Sequence, residues 1–155
     1  MSDSEALMWR LEHDPRLSST FGNLTILEGR LDVERLRRRL AHAALVVPRL
    51  RQRVVQAPGG FGPPRWVEDV EFDLDRHVRH ISLPSRSSMQ ALYDLASMLT
   101  ADPLDRHRPL WQFVVIDGLP RGRSALLEKL HHTIADGEAA LALAMHFMDL
   151  AADRA

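Results

Sequence analysis

The stretch LWQFVVIDGLPRGRSALLEKLHH, residues 110 to 132, restricts the fold more than any other part of the chain. Its two apolar runs, LWQFVVIDGL and SALLEKLHH, read as strands, and the PRGR between them supplies turn chemistry, so the pair predicts a hairpin. A strand turns successive side chains to opposite faces, so adjacent His131 and His132 cannot share one environment. One can pack or hydrogen-bond into the scaffold while the other faces a cleft.

Around this hairpin the pattern mixes helices and strands. Leu7, Met8 and Leu11 lie on one side of a short helix over residues 4–13, ended soon after by Pro15. TFGNLTILEG reads as a strand closing at Gly29. In LDVERLRRRLAHAALVV the spacing of Val33, Leu36, Leu40, Ala43 and Val47 predicts an amphipathic helix capped by Asp32. RQRVVQAP is a strand, GGFGPPRW an internal loop and HVRHISLP a further strand. Met89, Leu92, Ala96 and Leu99 mark a second amphipathic helix, capped by Ser87 or Ser88 and stopped by Pro103. A last helix begins at Asp136 and runs through Leu141, Ala144, Phe147 and Met148. The elements do not alternate as strict βαβ units, which predicts an α+β fold with a mixed sheet and flanking helices. The 155 residues suit one domain.

Charge and cysteine content remove several function classes. Twenty basic against twenty-one acidic residues leave a net charge of −1, so the electrostatic case for nucleic-acid binding is absent. Without cysteine, a disulfide framework, a thiolate zinc site and a cysteine nucleophile are excluded together. The start MSDSEALMWRLEHDP lacks the basic and apolar regions of a signal peptide. The longest apolar stretch, AALALAMHFMDLAA, is shorter than the ~20 residues that cross a bilayer. A cytoplasmic location is expected, with peripheral membrane contact left open.

The chemistry gathers in KLHHTIADGE, residues 129 to 138. A histidine held at a strand end suits general-base work, because its unperturbed pKa near ~6.5 leaves a neutral fraction at physiological pH; a packed structural role is the alternative. Asp136 is read as the cap of the following helix and Gly137 as the residue that lets the chain turn closely. Adjacent strand positions diverge and no ligand spacing completes a set, so a metal site is disfavoured. No Gly-x-Ser-x-Gly elbow supports serine hydrolysis. Arg35, Arg38 and Arg39 form either a solvated helix face or an anion-binding patch.

His131, His132, Asp136 and Gly137 match the HHxxxDG signature of the CoA-dependent acyltransferase superfamily. PLDRHRPLWQFVVIDGL, residues 103 to 119, resembles the PLxxxxPLW segment of the bacterial wax ester synthase/diacylglycerol acyltransferase family. The resemblance implies one lobe of the chloramphenicol acetyltransferase-like fold. It also implies transfer of a fatty acyl group from acyl-CoA, a co-substrate rather than a bound cofactor, to diacylglycerol or a long-chain alcohol, yielding triacylglycerol or wax ester. By motif position, His132 resembles the base that deprotonates the acceptor hydroxyl. His131 and Asp136 resemble supporting residues, the Asp ion-paired with Arg106 or Arg108 as candidates. Gly137 resembles the position that leaves room for substrate. Trp111 and Pro109 are candidate substrate contacts, or they shape the loop before the strand and the core.

Family members are longer and build their substrate tunnels between two lobes, so the resemblance makes residues 1–155 a single N-terminal lobe whose partner is a complementary C-terminal lobe or another subunit. Contact with a membrane or lipid droplet surface follows from lipid substrates. A non-catalytic interaction protein that keeps the fold, and an HHxxxDG enzyme with a different acceptor, are the competing readings. A lobe without its mate is expected to expose a large apolar patch on the face that carries His132.

Overall fold

The computed structural model describes residues 1–12, 14, 17–57, 59, 62–84 and 87–134. Asp136, Gly137 and the helix expected after them lie outside these residues.

Among the described residues, three α-helices are set by their caps and apolar stripes. Helix α1 (Asp3–Leu11) opens with a capping box between Ser2 and Glu5. Helix α2 (Val33–Val46) starts at Asp32, whose carboxylate accepts the Arg35 amide at 2.9 Å. Leu36, Leu40, Ala43 and Ala44 form its buried stripe. Helix α3 (Met89–Ala101) is capped by Ser88, whose hydroxyl accepts the Ala91 amide, and buries Leu92, Ala96 and Leu99. Each cap satisfies an amide that the first helical turn leaves without a partner.

Among the described residues the strands are β1 (Thr20–Leu27), β2 (Gln52–Val55), β3 (Arg65–Glu68), β4 (Val78–Ser82), β5 (Trp111–Asp117) and β6 (Ser124–His131). The main sheet has the order β1-β6-β5-β4. β6 is antiparallel to both neighbours, while β4 and β5 run parallel and are joined through α3. This is the mixed sheet that the order of elements predicts. The hairpin forms as read, Trp111 facing Leu130 and Ile116 facing Ala125. Gly118 leaves β5 at a φ of +84°, where a Cβ would sit 2.5 Å from the Leu83 carbonyl oxygen, so only glycine fits this turn.

β3 occupies part of the segment that reads from sequence as loop. Pro63 and Pro64 precede this strand rather than interrupt it, and Trp66 and Val67 then pair with Val54 and Arg53 of β2. The prolines mislead because a residue without an N–H is excluded from the ladder, not from the position before it.

The sheet is covered on both faces. One cluster joins Trp9, Leu36, Leu40 and Leu50 to Trp111, Phe113, Val115 and Leu130. The other joins α3 to Val114, Ile116, Ala125 and Leu127. Along β6 the even positions therefore face α2 and the odd positions face α3. Gly22 of β1 lies close beneath α3: a Cβ there would stand 2.5 Å from Thr100 Oγ1.

Candidate active site

The paired histidines sit where β6 ends. Regular pairing of the strand stops at His131, yet the His132 amide still donates to Ser19 O at 2.8 Å, one position beyond β1. That bond carries the alternation one residue past the strand. His131 is buried, with 1% of its surface exposed; His132 is exposed. The His132 ring lies against Phe21, with centroids 4.7 Å apart. Asn23, bonded to Glu128 at 2.7 Å, comes next along the same face of the strand pair.

His131 is hydrogen-bonded at Nδ1 and meets a carboxylate at Nε2. The Thr133 backbone amide donates to Nδ1 at 3.1 Å, and the Thr133 hydroxyl lies 2.8 Å from the same atom. An amide can only donate, so Nδ1 carries the lone pair and the ring proton is on Nε2. Nε2 approaches Glu12 Oε2 to 2.9 Å, obliquely, without a well-aligned hydrogen bond. Burial pushes the His131 pKa below the ordinary histidine value, against the opposing pull of Glu12. The ring is neutral and fixed, the state of a scaffold residue.

Three basic side chains brace the surroundings. Arg106 lies over the Trp9 ring at 3.6 Å and donates to Trp9 O at 2.9 Å. Arg108 is 3.4 Å from Asp105. Both side chains thus have partners of their own among the described residues, while Asp136, the partner expected for one of them, lies outside. Lys129, 2% exposed, sends Nζ between the carbonyls of Leu99, at 2.8 Å, and Asp102. A buried ammonium at the C-terminal end of α3 supplies donors to carbonyls that the helix leaves open and meets its negative dipole end. It ties the start of the Pro103–Trp111 loop to the strand that carries the histidines.

Between that loop and the end of α1 lies a cleft of about 360 Å³, bordered by Glu12, Thr20, Leu104, Arg106, Leu110 and His131. Trp111 and Pro109, expected to touch substrate, do not border it and are buried. Trp111 is 1% exposed, stacks on His77 at 4.4 Å and donates Nε1–H to Leu50 O at 2.9 Å. An indole with its one donor satisfied and no surface is core; the apolar strand on which it starts draws it inward. The face that carries His132 is the one on which a large apolar patch is expected. That face presents Phe21, Asn23 and Glu128, whereas exposed Tyr93 and Met98 belong to α3. Arg35, Arg38 and Arg39, with His42, border a surface depression of about 410 Å³ on the side of α2 turned from the core.

The sequence reading does not pick out Glu12, Thr133 or Lys129 as site residues. Lys129 carries a signal, a lysine at an odd, inward position of an apolar strand; Glu12 carries none, since its partners come from β6 and from the start of β1.

The wax ester synthase/diacylglycerol acyltransferase catalytic domain matches residues 1–155. The chain belongs to this family. A Mycobacterium tuberculosis protein named as a diacylglycerol O-acyltransferase is 37% identical over 147 residues, covering 95% of this chain and 30% of the relative. The wax ester synthase/diacylglycerol acyltransferase from Marinobacter aquaeolei VT8 superposes with a TM-score of 0.75 at 28% identity, over 93% of this chain and 37% of that one. A variant starter condensation domain of the rhizomide synthetase RzmA, crystallised in complex with C8-CoA, has a TM-score of 0.75 at 15% identity, over 95% of this chain and 33% of its own; it shares the fold. This member of the family therefore spans about a third of the length of the proteins it matches, and its architecture is that of their shared α+β fold.

Burial of neutral histidines makes stability depend on pH. His77, stacked between Phe72 and Trp111, is shifted below the ordinary value by burial, as His131 is. Above ~6.5 the rings are neutral in both folded and unfolded chains; below it the unfolded chain takes up protons first. Stability is thus present above ~6.5 and declines as the pH falls towards the depressed folded values. Thermal unfolding at pH 7.5 and 5.5 should show a lower midpoint at 5.5, and the difference should shrink in His77→Gln. An equal drop in both proteins would remove His77 from this account.

Proposed function

We propose that the chain is the N-terminal lobe of an O-acyltransferase that moves a fatty acyl group from acyl-CoA to the hydroxyl of diacylglycerol or a long-chain alcohol. The observation that carries this reading is the split between the paired rings: His131 is locked and neutral inside, and His132 stands on the open face. Membership of the family gives the reaction class, and the C8-CoA held by a condensation domain of the same fold supports acyl-CoA as donor.

The His132 imidazole takes the proton of the acceptor hydroxyl as its oxygen attacks the thioester carbonyl. The C–O bond forms, the C–S bond then breaks, and the imidazolium returns the proton to the departing thiolate, releasing CoA thiol and ester. The protein needs no nucleophile of its own. In this reading the donors for the transient oxyanion and the walls that exclude water come from a second lobe that completes the site. In this reading Asp136 orders the turn after the histidines and Gly137 leaves space for substrate, and the protein works in the cytoplasm at a lipid surface.

The test is thiol release from palmitoyl-CoA in the presence of hexadecanol or diacylglycerol, with the chain alone and with a family C-terminal lobe added. Acceptor-dependent thiol release in the complemented mixture is expected. Binding of neither acyl-CoA nor acceptor, with no release in any mixture, would favour the interaction-protein reading.

A further inference from the structure

Glu12 is a residue of this region that neither the motif nor the proposed chemistry uses, and it contacts both the ring of one histidine and the segment that ties the other. It follows the last turn of α1, and its side chain is largely covered, with 13% exposed. Oε1 accepts the Ser19 amide at 2.5 Å. Oε2 lies 2.9 Å from His131 Nε2, the nitrogen that carries the proton. The carbonyl of the same Ser19 accepts the His132 amide at 2.8 Å. One carboxylate therefore reaches both histidines: His131 through its ring, and His132 through the residue to which its backbone is tied.

We infer that Glu12 is a positioning residue for His132, acting through His131 and the Ser19 backbone; this rests on the reading of His132 as the base. The chemical reason is the count of donors. Oε1 accepts the Ser19 amide, and Oε2 stands against the ring nitrogen in an oblique ion contact rather than an aligned hydrogen bond; a carboxylate is the side chain of this length that presents an acceptor at both places. Glutamine would turn an NH₂ group toward one of the two donors, so it cannot satisfy the pair. Arg106 raises no competing demand: its guanidinium is spent on the Trp9 ring and carbonyl. The consequence is functional because a base displaced by as little as ~1 Å can lose about 10²-fold in rate.

The experiment uses the whole 155-residue chain with ¹⁵N-labelled histidine, the His131 signals being assigned by their loss in His131→Gln. In the unaltered chain at pH 7, His131 should show the Nε2–H tautomer, with a ring N–H slow to exchange and a nuclear Overhauser contact to the Glu12 methylene protons. In Glu12→Gln that protection should be lost, the His132 amide should exchange faster, and kcat for thiol release should fall about 10²-fold with little change in KM. If Glu12→Gln does not fold, the unaltered chain decides: an Nδ1–H tautomer, or a ring proton open to solvent, overturns the inference. Folded Glu12→Gln with unchanged histidine signals overturns it equally. An unaltered, complemented enzyme that releases no thiol would sink the proposed reaction instead, and the ring signals would still judge Glu12.

Discussion

Replacement of His132 by alanine is expected to lower acceptor-dependent thiol release by about 10²–10⁴-fold, the range a positioned general base contributes. The thermal midpoint should stay close to that of the unaltered chain. His132 is exposed, and removal of a solvent-facing ring usually changes stability by no more than about ±0.5 kcal/mol. The ring contact it loses is the one with Phe21. His131→Gln should show the opposite balance, since the ring it removes is buried and held by Thr133 and Glu12. Stability then falls, and more activity survives than in His132→Ala. Thiol release that His132→Ala leaves intact would end the assignment of this ring as the base.

Trp111→Ala is expected to be the most damaging single change to the fold, costing about 3–5 kcal/mol, as removal of a fully buried indole does. The side chain ties β5 to two distant segments: besides meeting Phe113 of its own strand edge-on at 5.6 Å, it stacks on His77 before β4 and bonds Leu50 O before β2. Its removal leaves a cavity and a carbonyl without a donor in the interior, and both effects act in the same direction. Trp111→Phe keeps most of the volume and loses the hydrogen bond, so it should cost clearly less. Urea denaturation monitored by the remaining tryptophans, Trp9 and Trp66, would measure both. A loss under about 1 kcal/mol for the alanine variant, together with a raised KM for acyl-CoA, would show that Trp111 touches substrate after all.

The two variants separate what can be read directly from what cannot. The hairpin, the stripe of α2 and the caps at Asp32 and Ser88 are legible because each is a local pattern: alternation, a three-and-four spacing, or a small polar residue before an apolar helix. β3 is hidden because its strand character is confined to four residues behind two prolines, where turn signals dominate. Trp111 is ambiguous for another reason. A tryptophan after Pro-Leu at the start of a strand can face either core or ligand, and only the depth of β5 between β6 and β4 decides that it is covered on all sides. The surroundings of His132 are legible only in part for a similar reason. The alternation says which residues share a face, and Asn23 and Glu128 do share the face of His132, but it does not say that they meet and bond across two strands.

Sequence by itself determined that the paired histidines would part company, because a strand has a period of two and side chains one residue apart cannot point the same way. The tertiary structure decided which ring would be held and by what. The carboxylate at His131 comes from the end of α1, the guanidinium behind it from the loop before β5, and the carbonyls that hold Lys129 from the end of α3. Short-range periodicity encodes the direction of a side chain; the identity of the group that meets it depends on how distant elements stack, and only the folded chain brings those together.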